Sequence, residues 1–313
     1  MTRAFLFPGQ GAQAIGMGKA LADAYPAART VFEEVDDALG EALSTLIWGG
    51  DIEELTLTAN AQPALMATSI AALRALEAEG AGIERASFVA GHSLGEYSAL
   101  CAAGAIELAD TARLLRARGQ AMQAAVPVGE GAMAAILGLA LEDVTALAGD
   151  AAMGEVCVAA NDNDPAQVVI SGHKAAVARA ADLAKERGAK RALLLPVSAP
   201  FHSPLMEPAA RAMAQALEHV DIARPQVPIV ANVLAHDVSE PGTIRSLLVE
   251  QVTHSVRWRE SVAWMVREGV TEFWEIGAGK ALIGMVRRIA REAETRAVGS
   301  PDDVAAAAAS VSA

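Results

Sequence analysis

In residues 89–99, VAGHSLGEYSA, a short apolar run passes directly into a predicted helix. Gly91, Ser93 and Gly95 form the pattern G-x-S-x-G at this junction. Between a strand and a helix, the pattern is typical of a nucleophile elbow, a sharp turn that exposes the serine hydroxyl. The first free N–H of the helix, that of Leu94, would face a developing oxyanion. A serine that only caps the helix is the alternative interpretation.

Outward from this junction, predicted strands alternate with predicted helices, which indicates a mostly parallel sheet covered on both faces. The predicted strands are 3–7, 87–91, 227–232 and 271–276. The predicted helices are 15–40, 61–79, 94–103, 107–125, 204–219, 243–252, 255–268 and 279–293. Residues 303–313, rich in Ala and Ser, are predicted to be a disordered tail.

The rhythm changes in the middle of the chain. Strands are predicted at 132–138, 155–160, 167–171 and 191–197, helices at 141–149 and 174–187, and a turn at 161–165. The order β-α-β-β-α-β is that of a ferredoxin-like domain. We therefore predict an α/β fold with two parts. A large α/β-hydrolase-like domain takes residues 1–127 and 198–313, and a small ferredoxin-like domain, residues 128–197, is inserted into it.

Composition excludes several classes of function. The 313-residue chain is 53% hydrophobic and has a formal net charge of −13, which argues against nucleic acid as a ligand. Two cysteines in apolar runs suggest a reducing, cytoplasmic setting, and no apolar stretch has the length of a membrane span. The sequence contains no zinc-like Cys/His spacing, so we expect no metal. Residues 9–14 match a relaxed dinucleotide fingerprint, but a predicted helix follows where a second strand is required.

A nucleophilic serine needs a base, and the chain has six histidines. His92 adjoins Ser93, but its side chain leaves the backbone in another direction, so we assign it a supporting position. His202 follows a predicted strand in the proline-bounded segment APFHSP, residues 199–204. Such a rigid loop suits a positioned base. No acid between Ser93 and His202 stands out as a third member of a triad, so a carbonyl group is the alternative partner of the imidazole.

Arg118 falls in the middle of the apolar arc of its predicted helix, counted at about 100° per residue. An arginine at such a position costs free energy unless an anion meets it. It either extends to the edge of the helix, pairs with a protein acid, or awaits a carboxylate on the substrate.

Taken together and in this order, the motifs resemble those of the malonyl-CoA:acyl-carrier-protein transacylases, over nearly the whole chain. They are FPGQGAQ at 7–13, GHSLGEY at 91–97, RARG at 116–119, NDN at 161–163, PFHS at 200–203, Gln251 and GAG at 277–279. The resemblance implies that Ser93 is the acylated nucleophile and His202 its base. It further implies the following roles: the Gln251 carbonyl orients the imidazole, Gln10 and the Leu94 N–H form the oxyanion hole, Arg118 binds the malonyl carboxylate, and Asn161, Asn163, His92 and Phe201 line the cleft.

The resemblance implies transfer of malonyl from malonyl-CoA to the phosphopantetheine thiol of acyl carrier protein, by a monomer without a permanent cofactor. A polyketide-serving acyltransferase, a Ser–His thioesterase or esterase, and a non-catalytic carrier-docking module are the alternatives. Acyl carrier proteins are acidic, so a local basic patch is needed for docking. The candidates are Lys185, Arg187, Lys190, Arg191, Arg287 and Arg288, whose plainer interpretation is a solvated surface.

Overall fold

The computed structural model describes residues 2–197 and 199–312. Its strands are β1 (Arg3–Phe7), β2 (Phe88–Gly91), β3 (Gly131–Leu137), β4 (Cys157–Asp164), β5 (Gln167–His173), β6 (Arg191–Leu194), β7 (Ile229–Val230), β8 (Asp237–Val238), β9 (Glu272–Ile276) and β10 (Glu294–Val298). Its first seven helices are α1 (Lys19–Ala24), α2 (Pro26–Leu39), α3 (Leu43–Gly49), α4 (Ile52–Thr56), α5 (Thr58–Ala78), α6 (Leu94–Ala102) and α7 (Leu108–Ala124). The remaining helices are α8 (Leu141–Ala152), α9 (Lys174–Glu186), α10 (Glu207–Glu218), α11 (Pro241–Glu250), α12 (Trp258–Arg267), α13 (Ala281–Ile289) and α14 (Pro301–Ser312).

The larger sheet has the strand order β10-β9-β1-β2-β7-β8. Every neighbouring pair is parallel except β7 with β8. All five residues of β1, RAFLF, are buried, as a central strand covered on both faces requires. The predicted, mostly parallel α/β sheet is confirmed.

The smaller sheet is antiparallel, with the order β4-β5-β3-β6. Helices α8 and α9 pack on it and form a separate hydrophobic cluster around Ile136, Leu147 and Val177. Strand order and element order are those of the predicted ferredoxin-like unit. The domain limits at residues 127/128 and 197/198 stay a prediction, and Ser198 lies outside the described residues.

Two hydrophobic clusters cover the two faces of the larger sheet. One contains Phe5, Phe7 and much of the apolar helix α5. The other contains Leu6 and Ala90 beneath α12 and α13, with Trp258 at its centre. Because alternate residues of β1 enter opposite clusters, the strand is fixed in register from both sides. Among the described helices, none is both long and apolar enough to cross a membrane.

One predicted helix, 15–40, is in fact two. Tyr25 has extended backbone angles, φ −124° and ψ 115°, and Pro26 begins α2. A proline disfavours helical geometry in the residue before it but fits the first turn of the next helix. The apolar spacing continued across the break, so periodicity alone did not reveal it.

The predicted turn at 161–165 is wrong for its first four residues. Strand β4 continues to Asp164 with two register irregularities, and Asn161 also bridges to Val256 of the larger unit. Asp162 and Asp164 inside the strand form ion pairs with Arg259 and Arg288 of the larger unit. These ion pairs outweigh the turn preference of an Asn/Asp run.

The predicted disordered tail, 303–313, is also wrong in the described part. Helix α14 packs there, with Val304 and Ala307 fully buried. Its start is capped by Ser300 and Asp303, whose side chains hydrogen-bond each other at 2.7 Å. Ala313 lies outside the described residues. The predicted helix 279–293 ends four residues earlier, at Ile289. The sequence analysis also missed β10, since it predicted no strand at 294–298.

Candidate active site

The turn between β2 and α6 has the strained geometry of a nucleophile elbow. Ser93 lies at φ 53° and ψ −109°, a conformation that side chains rarely adopt. A Cβ atom on Gly91 would stand 1.8 Å from the carbonyl oxygen of Gly95, and one on Gly95 would stand 2.2 Å from that of Phe7. Only glycine fits at both positions, so the two glycines make the turn sterically feasible.

The alternative in which Ser93 merely caps α6 is excluded, because its side chain forms no capping hydrogen bond. Asn232, just after β7, takes over the turn instead. Its Oδ1 accepts the Ser93 N–H at 2.8 Å and its Nδ2 donates to the Gly91 carbonyl at 2.7 Å. The serine hydroxyl is thereby left available for a reaction.

Ser93 and His202 are in contact, with 2.7 Å between Oγ and Nε2. The other ring nitrogen, Nδ1, lies 2.8 Å from the backbone carbonyl oxygen of Gln251. A carbonyl only accepts, so Nδ1 carries the proton and Nε2 is free to accept the serine proton. The carbonyl thus does the orienting work of a triad acid.

The imidazole is kept neutral by its surroundings. His202 is 3% exposed, and burial, followed by the nearby Arg118 cation, lowers its pKa to about 3. At neutral pH the ring is therefore a neutral base, ready to take a proton.

Arg118, on α7, is 1% exposed and has no ion pair with any carboxylate in the described part of the chain. One terminal nitrogen donates to Gln62 Oε1 at 2.8 Å. The other donates to Gln251 Oε1 at 2.8 Å and to Ser93 Oγ at 3.1 Å. The guanidinium lies over the Tyr97 ring at 5.6 Å, and its Nε has no partner among the described residues. Neither extension to the helix edge nor pairing with a protein acid accounts for this arrangement.

Ser93, His202 and Arg118 line one cavity of about 240 Å³ between the two sheets. The other predicted residues that line it are Gln10, Leu94, His92, Asn161 and Phe201. Leu94 is the first residue of α6, so its N–H has no intrahelical acceptor. Gln10 Nε2 is 3.3 Å from Thr58 Oγ1, a long bond that is easily exchanged.

Asn163 does not line this cavity. It is 5% exposed, and its Oδ1 accepts from His92 Nε2 at 2.8 Å. The His92 ring also packs on Trp258, with 5.7 Å between centroids. The His92 ring is thus held by Asn163 and Trp258, and among the described contacts its side chain makes no hydrogen bond to Ser93. Asn163 is not among the residues that line this cavity, and its role in the cleft stays a prediction.

Three site residues escaped the sequence analysis. They are Gln62, which holds Arg118, Asn232, which holds the elbow, and Glu96, a buried carboxyl 2.7 Å from Gln251 Nε2. Asn232 carries a readable signal, a polar residue at the carboxyl end of a predicted buried strand. Glu96 carries a misleading one, since Ser93-x-x-Glu96 has the spacing of a helix capping box. In the described part of the chain, no group of three or more His, Cys, Asp or Glu side chains is arranged to hold a metal.

Comparison with known proteins shows the family. Residues 4–306 match the model of the acyl transferase domain. The malonyl CoA-acyl carrier protein transacylase of Bacillus subtilis (strain 168) is 50% identical over 304 residues, which cover 96% of this chain and 94% of that protein.

Solved structures agree. The acyl-carrier-protein S-malonyltransferase of Bartonella henselae has a TM-score of 0.98 and 55% identity, over the whole of both chains. A malonyl-transacylase in complex with its type II PKS acyl-carrier protein has a TM-score of 0.96 and 42% identity, covering 99% of this chain and 100% of that one. The chain therefore belongs to the acyl transferase domain family and, within it, to the malonyl CoA-acyl carrier protein transacylases.

Proposed function

We propose that this chain transfers the malonyl group of malonyl-CoA to the phosphopantetheine thiol of an acyl carrier protein, through a malonyl ester of Ser93. The observation that carries the proposal is a buried cation, Arg118, that forms no ion pair with a carboxylate of the described residues and lies 3.1 Å from the serine hydroxyl. An enzyme for neutral acyl groups has no use for such a charge beside its nucleophile.

The first half-reaction begins at the Ser93 hydroxyl. Oγ attacks the thioester carbonyl carbon while His202 Nε2 takes the hydroxyl proton. The tetrahedral intermediate then loses its carbon–sulfur bond, and the imidazolium returns the proton to the departing CoA thiolate. The products are the malonyl ester and CoA thiol, and the histidine is neutral again.

The second half-reaction runs through the same atoms in reverse order. His202 accepts the proton of the phosphopantetheine thiol, and the sulfur attacks the ester carbonyl. When the carbon–oxygen bond breaks, the imidazolium protonates Ser93 Oγ. The kinetics are therefore ping-pong, and the ester has to be protected from water between the two steps.

The oxyanion of both intermediates is assigned to two donors, the Leu94 N–H and the Gln10 side chain. Leu94 opens α6, where the helix dipole also favours negative charge. Gln10 reaches the same cavity from the loop after β1. Both elements follow the carboxyl ends of adjacent parallel strands, which brings the two donors to one edge of the sheet.

Arg118 is assigned to the malonyl carboxylate. A guanidinium binds a carboxylate with two parallel hydrogen bonds, and burial strengthens such a pair. The side-chain amides of Gln62 and Gln251 hold the cation in place without neutralising it.

For the partner, we propose an acyl carrier protein that docks near the cavity mouth. Several of the basic candidates already have acidic neighbours: Lys185 is 2.9 Å from Asp182, Arg187 is 2.5 Å from Asp150 and Arg288 is 2.7 Å from Asp164. Lys190, Arg191 and Arg287 are exposed and form no ion pair with other described residues. Lys190 and Arg191 are adjacent in the chain and present two charges together, which makes this pair the better candidate. We further propose that the enzyme is a cytoplasmic monomer that needs no permanent cofactor.

Incubation with labelled malonyl-CoA, followed by mass spectrometry of the intact protein, tests the proposal. We expect a stable malonyl adduct on Ser93 that disappears when a holo carrier protein is added. Release of free malonate without a carrier would show a hydrolase, and absence of any adduct would show a non-catalytic module. Fatty-acid and polyketide carriers are compared in parallel, since one solved relative holds a type II PKS carrier.

A further inference from the structure

Glu96 is a buried carboxyl group that the proposed reaction does not use. It is the third residue of α6 and is 3% exposed. Its Oε2 accepts from Gln251 Nε2 at 2.7 Å and from the Asn232 backbone N–H at 3.1 Å. Neither donor belongs to α6, so the side chain has left the helix terminus to hold two other segments of the site.

The contact with Glu96 determines which way the Gln251 amide points. Gln251 Nε2 donates to Glu96 and, at 3.0 Å, to the Ser93 carbonyl, while its Oε1 accepts from Arg118 at 2.8 Å. Rotating the amide by half a turn would place its NH₂ against the guanidinium and its oxygen against the carboxylate. Both new contacts would be repulsive, since each would pair two donors or two acceptors. The carboxylate, with the shorter of the two contacts, and the Ser93 carbonyl together fix the amide, and the amide oxygen fixes the guanidinium.

We propose that Glu96 is a positioning residue that sets the preference for malonyl over uncharged acyl groups, acting through the side-chain amide of Gln251 on Arg118. The inference rests on the proposed function of Arg118. It separates two tasks of Gln251: the backbone carbonyl serves His202, and the side chain serves the carboxylate clamp. The position of the backbone carbonyl is held by the main chain, where the Gln251 N–H bonds to the Leu247 carbonyl at 2.8 Å. A change at Glu96 therefore acts mainly on the Gln251 side chain and, through it, on the carboxylate clamp.

The unfavourable free energy of burying the Glu96 carboxyl group supports a functional role. Burial raises the pKa of Glu96 to about 7, against the opposing effect of the two donors and of Arg118. A buried acid that costs stability and contacts a substrate-binding group is more typical of a functional site than of a scaffold.

Three substitutions separate position from charge and volume. Glu96→Asp keeps the charge but is too short to reach Gln251, Glu96→Met keeps the length without an acceptor, and Glu96→Gln keeps both length and acceptor without the charge. The readout is the ratio of the second-order rate constants for loading malonyl-CoA and acetyl-CoA onto the intact protein. We expect the ratio to fall about tenfold for Asp and for Met, and to stay within about threefold of the unmodified chain for Gln.

A role in folding alone would lower both loading rates together and leave the ratio unchanged. Glu275→Gln is the matched control, because Glu275 is equally buried, accepts the Ile283 N–H at 2.9 Å and does not line the cavity. An unchanged ratio in whichever of the Asp and Met variants folds would overturn the proposal. So would a Gln variant that falls as far as Met, since charge would then be the cause. If the unmodified chain fails to load malonyl, the proposed function itself is refuted.

Discussion

Buried charged side chains have oppositely charged partners in one region of the molecule and neutral partners in another. The seam is the place where β4 of the smaller sheet meets α12 and α13 of the larger unit. There Asp162 and Asp164 of β4 are each 1% exposed and are paired with arginines. Arg259 contacts both carboxylate oxygens of Asp162 at 2.9–3.0 Å, and Arg288 contacts Asp164 at 2.7 Å. In the cavity, Arg118 is just as buried, but among the described residues it contacts amides, a hydroxyl and an aromatic ring directly. The Glu96 carboxyl reaches it only through the Gln251 amide.

A structural charge and a functional one differ in how their desolvation is compensated. A buried ion pair has its desolvation largely offset by the partner, so it is stable without anything else bound. A buried cation among neutral acceptors keeps much of its desolvation cost, and burial lowers the pKa of Arg118 accordingly. Under the proposed function an incoming carboxylate would recover this cost. The comparison therefore predicts that the seam charges act on stability and the cavity charge on binding.

The largest expected effect comes from the nucleophile beside the lone cation. Ser93→Ala removes the atom that carries the acyl group in the proposed mechanism, so malonyl transfer should fall by about 10³-fold or more. The free energy of unfolding should not decrease, because the strained elbow keeps its backbone hydrogen bonds to Asn232. Carrier loading and urea unfolding measure the two quantities.

Ser171→Ala is the matched control for this loss. Ser171 lies in the smaller sheet, is fully buried and has an unpartnered Oγ among the described residues. Its removal should leave malonyl transfer unchanged within about twofold. Transfer that survives in Ser93→Ala would refute the covalent route.

Arg118→Ala tests whether the lone cation recognises the carboxylate. The rate constant for malonyl loading should fall about 100-fold, since a charge-assisted bidentate pair is lost. Acetyl loading should fall much less, which shifts the preference from malonyl-CoA towards acetyl-CoA. Paired loading assays with the two substrates measure the shift, and an unchanged preference would contradict the assignment.

Breaking an ion pair at the seam should lower stability and leave the substrate preference unchanged, which is the opposite of the result expected for Arg118→Ala. Arg259→Met leaves Asp162 as an unpaired buried anion, and we expect the free energy of unfolding to fall by about 2 kcal/mol. This value lies below that of a fully buried pair because the Arg259 side chain is 32% exposed. Urea unfolding measures the loss, while the malonyl-to-acetyl ratio should stay constant.

The double variant Asp162→Asn with Arg259→Met supplies the control, because it removes both charges. It should recover more than half of the lost stability. If Arg259→Met instead alters the substrate preference without destabilising the chain, the division between structural and functional charges fails.

The sequence predicted the parts of the site that depend on local pattern. The G-x-S-x-G turn can be predicted because its glycines are required by contacts within the turn and its neighbours. The burial of Arg118 can be predicted from helix periodicity. Gln62, Asn232 and Glu96 were missed because their roles depend on partners 19 to 155 residues away in the chain. The strand at 161–164 was misread for the same reason, since its arginine partners lie about 100 residues later.

The smallest effect concerns pH: burial, and then the Arg118 cation, should keep the protonation state of His202 unchanged over the working pH range. Because burial and Arg118 lower the pKa of His202 to about 3, its neutral form persists from pH 8 down to pH 5. A histidine at its ordinary pKa of about 6.5 would lose about thirtyfold of its neutral fraction over that range. Glu96, whose pKa is raised to about 7 by burial, titrates inside the same window. The measurement is therefore made in Glu96→Gln, where malonyl loading should change by less than about twofold between pH 8 and 5. A fall centred near pH 6.5 in this variant would mean that the imidazole titrates normally and that neither burial nor the cation controls it.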